Sequence, residues 1–108
     1  MSAKPVVPRE LARRDVEVAI DHYAQEAGAD IALGFIKALH EAYRAIGDHA
    51  GIGSPRYAHE LDLPGLRSRR LARYPFLVFY IEREDHIDVW RVLHAKRDIP
   101  AWLGEEDG

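Results

Sequence analysis

Arginine and histidine carry most of the reactive chemistry in this sequence, and they gather in its last third. Arg67, Arg69, Arg70 and Arg73 stand close together, and Arg91, His94 and Arg97 follow within RVLHAKR. Guanidinium forks match carboxylates and phosphates, so such a run suits an acidic partner, while the bland alternative is a solvated face with a few salt bridges. Tyr74 and Trp90 could stack on bases, although aromatic residues in sheets mostly fill cores. His94 reads either as a hydrogen-bonded structural residue or as a general base. The other histidines, His22, His40, His49, His59 and His86, show no metal-ligand spacing, since none lies three or four positions from another. GIGSP at residues 51–55 has neither the preceding strand nor the following Lys-Ser/Thr of a phosphate loop, and no GxSxG occurs. Zero cysteines remove disulfide frameworks, thiolate zinc sites and thiol nucleophiles, which fits a reducing compartment.

These residues depend on strands for their positions. Residues 76–81 form an unbroken apolar run, short enough to be a strand buried on both faces and the centre of a sheet. Pro75 cannot donate to a ladder and pushes Tyr74 away from helical geometry, so one strand is expected to end there, over residues 69–74, and another to begin. After the polar break at residues 84–86, Ile87, Val89, Arg91 and Leu93 alternate with Asp88, Trp90, Val92 and His94 at the period of a strand. The expectation is a three-stranded antiparallel meander, extended by a brief edge strand at residues 4–8, KPVVP.

Two amphipathic helices precede the meander. Ala12, Val16, Ala19, Ile20, Tyr23 and Ala27 repeat at helical spacing, and Gly28 ends that helix. Asp30 is expected to cap the next one, which presents Ala32, Phe35, Ile36, Leu39, Tyr43 and Ile46 inward and stops at Gly47. A short link makes the pair an antiparallel hairpin that needs a sheet to cover its joint apolar face. Residues 48–66 read as a long connection with a helical turn. Residues 97–103 read as a short terminal helix capped by Asp98, with Ile99, Trp102 and Leu103 available to pack. Residues 1–3 and 104–108 are expected to be flexible ends.

The 108 residues suit a single domain, and 47% apolar with 31% charged residues is the balance of a soluble globular chain. No window approaches the roughly 18 apolar residues of a membrane-spanning helix, and the N-terminus lacks the apolar core of a signal peptide, so a cytoplasmic location is expected. A net charge of −3 gives no global attraction to nucleic acid. The charge is unevenly spread: residues 1–50 hold six basic and eight acidic side chains, and residues 51–97 hold nine and six.

The order of strand, helix hairpin, SPRYAHELDLPGLRSRRL, YPFLVFYIE and VWRVLHAKRDIPAWL resembles the ParE branch of the RelE/ParE superfamily of type II toxin-antitoxin toxins. The likeness covers nearly the whole chain. Its most specific parts are the aromatic-Pro-aromatic entry at Tyr74-Pro75-Phe76 and the ending from Arg91 to Pro100. The resemblance implies an α+β fold, with the helix hairpin packed on an antiparallel three- to four-stranded sheet and a short C-terminal helix. It also implies a growth-arresting toxin that needs no cofactor and is held silent by a ParD-like antitoxin in a hetero-oligomer.

ParE-like toxins inhibit DNA gyrase by trapping it on broken DNA, whereas RelE-like relatives cut messenger RNA on the ribosome. Fold alone does not choose between them. A metal-independent ribonuclease needs a base, an acid and cations converging on one face, for which Arg69, Arg73, Arg91 and His94 are the candidates here. RelE-like nucleases place an arginine just ahead of the central strand, where this chain has Pro75 or Phe76, which argues for gyrase. A third alternative is a decayed toxin that only binds its antitoxin. The expected target- or antitoxin-binding residues are Arg67, Arg69, Arg70, Arg73, Tyr74, Arg91, His94 and Arg97. An apolar antitoxin-binding set of Ile20, Tyr23, Phe35, Leu39 and Trp102 completes the expectation, with DNA reached only through antitoxin or gyrase.

Overall fold

A computed structural model describes residues 3–97 and 99–103, apart from the side chain of Trp102. Four strands, β1 (Val6–Pro8), β2 (Leu66–Arg70), β3 (Phe76–Glu82) and β4 (Ile87–His94), form one sheet in the order β1-β4-β3-β2. The β2-β3-β4 meander is antiparallel, and β1 joins β4 in parallel, so the sheet is mixed. Val78, Phe79 and Tyr80 of β3 are fully buried. Both faces of the sheet are covered, which is why this run contains no polar alternation.

β2 differs from the expected 69–74. It begins earlier because Leu66 and Ser68 supply its buried face, and it stops at Arg70 because Arg73 takes a left-handed backbone, φ 70°, that no strand accommodates. The Leu71 N–H donates to the Phe76 carbonyl, closing a turn over residues 71–75. Strict alternation in β4 also fails. Phe79 faces Arg91 while Tyr80 faces Val89, leaving Trp90 as the extra residue of a β-bulge. Val92, rather than Arg91, therefore joins Ile87 and Val89 in the core beneath the helices, and Leu93 joins the core on the other face.

Helices α1 (Glu10–Glu26) and α2 (Ala29–Asp48) form the hairpin. Ala12 and Ala19 of α1 pack with Phe35, Ala38, Leu39, Ala42 and Ile46 of α2 over Val78, Tyr80, Val89 and Val92. Two expectations need correction. Gly28, at φ 100°, holds the N-cap position, and Asp30 lies inside the first turn, where its carboxylate opposes the positive helix end without capping it. Gly47 does not stop α2; it stays helical and lets β1 approach, with its carbonyl accepting the Lys4 N–H at 3.0 Å.

The connection to β2 contains a 3-10 turn at Ala50–Ile52 and a helix α3 (Arg56–Leu61). With the terminal helix α4 (Ile99–Leu103), α3 covers the far side of the sheet, where Leu66, Phe79, Ile81, Leu93, Ile99 and Leu103 form a second core. The sheet is thus the middle of three layers. The expected Asp98 cap, the contact of Trp102 and the flexible ends at residues 1–2 and 104–108 lie outside what is described. Among the described residues, no helix is long and apolar enough to cross a membrane.

Candidate functional site

The four clustered arginines do not make one surface, because the pleat divides them. Arg67 and Arg69 stand opposite Tyr80 and Val78, on the hairpin side, whereas Arg70 stands opposite Leu77 on the other side. Arg73 projects from the turn. Arg67 holds the fold together, since its guanidinium donates to the Gly53 carbonyl at 2.7 Å. The buried Tyr80 hydroxyl holds the same loop, donating to the Ala50 carbonyl at 2.6 Å and accepting from the Gly53 N–H at 2.9 Å. Arg69 is half-buried and makes no ion pair among the described residues.

Arg91 is committed to α1. Its Nε and Nη2 donate to the Asp15 carboxylate at 2.8 and 2.7 Å, and the two side chains are only 5% and 11% exposed. Asp15 also accepts the Val92 N–H at 3.0 Å, so one carboxylate occupies the edge of β4 just where β1 ends. Nearby, burial and then the Asp15 charge push the Tyr43 hydroxyl up to about 12.

A second acid-centred cluster ties β1 to β4. Asp88 accepts from Arg9 at 2.9 and 3.0 Å, from Arg83 at 2.9 and 3.1 Å, and from the Trp90 indole at 3.2 Å, while Arg9 lies 4.4 Å over the Trp90 ring. Burial pushes the Asp88 carboxyl up, but the Arg9 and Arg83 hydrogen bonds, the Arg9 charge and the Trp90 indole outweigh it, and the net direction is down. Trp90 is thereby engaged in the fold rather than offered to bases. Asp15 and Arg9 were invisible as site residues in the sequence, because Asp15 meets Arg91 across 76 positions and Arg9 meets Asp88 across 79.

The remaining expected residues meet where β3 begins and β4 ends. The His94 ring sits 5.2 Å from Phe76, edge to face, and its Nδ1 accepts the Lys96 backbone N–H at 3.1 Å. Burial, followed by Lys96, Arg97, Arg70 and His22, holds its pKa below the ordinary histidine value. Tyr74 donates to the Ile31 carbonyl at 2.9 Å and packs edge-on against Tyr23 and Phe35. Of the apolar set, Ile20 and Tyr23 are half-buried, but Phe35 and Leu39 are enclosed in the core and offer no outer face. The exposed apolar residues of the hairpin are instead Val18, Ile31 and Leu33.

Two other features carry little chemistry. A cleft of about 360 Å³ beside α3 is lined by His59, Asp62 and Arg67 among others, yet the Arg67 guanidinium is spent on Gly53. Among the described residues no group of three His, Asp or Glu side chains could hold a metal ion.

A family model described as the ParE toxin of the type II toxin-antitoxin system, parDE, matches residues 6–99. No curated protein matches the chain. Among solved structures the fold is similar to one described as the chromosomal ParDE TA system from P. aeruginosa, with 22% sequence identity and a TM-score of 0.71, over 85% of this chain and 96% of that one.

Proposed function

Because the chain belongs to the ParE toxin family of type II toxin-antitoxin systems, as its match over residues 6–99 establishes, we propose that it arrests growth in the cytoplasm by binding DNA gyrase and is silenced by a ParD-like antitoxin. The observation that carries this reading is the commitment of Arg91. RNA cleavage would need a mobile or exposed cation to meet the charge of a phosphorane, and here the guanidinium is buried and already neutralised by Asp15. The other candidates do not converge on it. Arg69 and His94 sit on strands separated by β3, roughly 10 Å apart by strand spacing, and Arg73 lies in a turn. Pro75, just ahead of β3, stands where a nuclease arginine would be expected. What is left is a surface for binding.

The test is a gyrase reaction with relaxed plasmid, ATP and a detergent-protease step that reveals trapped breaks. The expected result is linear DNA that appears with the purified chain and disappears when the antitoxin is added. Normal supercoiling together with cleavage of ribosome-bound messenger would overturn the proposal.

A further inference from the structure

The sheet has two edges, and the fold closes them differently. At one edge β1 carries Pro8, with Pro5 just ahead of it, and neither brings an N–H that another strand could use. At the other, β2 is closed only in part. Alternate residues of β2 turn their backbone away from β3, and the first two such positions are taken. The Leu66 N–H donates to the Leu63 carbonyl at 3.1 Å, and Ser68 exchanges both of its bonds with Ser54, at 2.8 and 2.9 Å. The third position is Arg70, since Leu71 turns back toward β3 and donates to the Phe76 carbonyl at 3.0 Å. Arg70 is exposed, and its N–H and carbonyl meet no hydrogen-bond partner among the described residues. A donor and an acceptor on one outward-facing residue are half of an antiparallel rung.

Cations flank that rung on both faces of the sheet. Arg70 stands opposite Leu77, on the side of α3 and α4, and Arg69 stands opposite Val78, on the side of the hairpin. Neither forms an ion pair among the described residues, and neither does Arg73 in the turn that follows. Charges on an edge discourage stray pairing, so this edge refuses most strands and suits an acidic one.

We propose that the outer edge of β2 at Arg70 receives an extended, acidic segment of the silencing antitoxin as an added antiparallel strand. The added strand rests on the antitoxin-silenced reading above and extends it to how the partner is held. The antitoxin residue opposite Arg70 makes both backbone bonds and shares a face with that arginine, while its C-terminal neighbour stands opposite Arg69 on the other face. Two consecutive acids thus meet two arginines, and the pleat that denies the arginines a common surface is what suits them to a strand. A second copy of this chain fits poorly, because pairing β2 with itself would bring arginines together. A phosphate offers acceptors only and leaves the Arg70 carbonyl unmet.

Residue-resolved amide exchange on the purified chain, alone and in complex with its ParD-like partner, tests the rung directly. The Arg70 amide is expected to exchange freely in the chain alone and at least about tenfold more slowly in the complex. Calorimetric titration then separates backbone from charge. Arg70→Ala removes the guanidinium and keeps the N–H, whereas Arg70→Pro removes both, at an outward position where an edge strand tolerates proline. Alanine is expected to weaken binding about twofold to fivefold, and proline about a further fivefold. Urea midpoints report whether each variant is folded, and exchange in the wild type decides alone if Arg70→Pro is not. An Arg70 amide equally fast in both states, or equal affinities of the folded alanine and proline variants, would overturn the added strand while leaving the partnership standing. Failure of wild type to form any complex would remove the antitoxin reading and the added strand together. Protection of Arg70 in the chain alone, rising with concentration, would overturn the proposal by giving the edge to a second copy.

Discussion

Asp15 takes three hydrogen bonds, two from the Arg91 guanidinium and one from the Val92 N–H. Removing the carboxylate leaves a buried charge and an orphaned edge amide, so Asp15→Ala is expected to cost about 3–5 kcal/mol in urea unfolding. The joint replacement Asp15→Leu/Arg91→Met should cost far less, because no charge is then stranded. Equal losses in the two would mean that Asp15 acts through some other contact. His94 makes a second prediction at this scale. Folding lowers its proton affinity below the ordinary 6.5, so as pH falls through 6.5 the unfolded chain takes up the proton first. Its contribution is therefore fully present above 6.5 and declines until the folded ring also protonates. His94→Gln should be compared with wild type by urea midpoints between about pH 5 and 8, where the variant is expected to lack that part of the decline. Identical slopes would sink the assignment. The Arg91 pairing is not legible in the sequence: arginine is conspicuous as a type, but nothing in local spacing shows that this one is consumed by an acid 76 positions away.

Elements are legible where a period persists, and obscure where a single residue interrupts it. The two helices and the central strand follow from repeats sustained over several turns or pleats. The bulge at Trp90 reverses the alternation of β4 without any local mark, since Val92 and Leu93 are equally apolar on either reading. The start of β2 is hidden for a related reason: Leu66 sits next to Gly65, which invites a loop assignment, while Arg69 to Tyr74 looks continuous although Arg73 turns left-handed. Gly47 looks like a helix stop, yet its lack of a side chain serves packing. A Cβ there would lie 2.8 Å from the Lys4 carbonyl oxygen, a backbone atom that cannot swing aside. Gly47→Ala gains about 1 kcal/mol of helix propensity. It is nevertheless expected to lose a net 1–3 kcal/mol, roughly, because β1 must shift from α2. A raised melting temperature in this variant would show that β1 yields at little cost, and that the Lys4–Gly47 contact does not fix the strand.

At the scale of the molecule, the sheet separates two cores of unequal standing. The hairpin core joins two long helices to β1, β3 and β4, whereas the second core is closed by α3 and α4, of six and five residues. Helices that short have no stability of their own and hold only through what they bury. Opening of the far layer should therefore cost less than global unfolding, and hydrogen exchange should divide the chain accordingly. Amides of β3 are expected to exchange only with global unfolding, those of α3 and α4 by a cheaper local opening. Leu103, which is 4% exposed, provides the discriminating substitution. Leu103→Ala is expected to speed exchange in α3 and α4 while α1 and α2 keep their protection. Phe35→Ala, in the hairpin core, should speed exchange in every element, because it lowers the global limit itself. If Leu103→Ala accelerated all elements alike, the two layers would be one cooperative unit. The sheet would then transmit any loss on its far face to the hairpin.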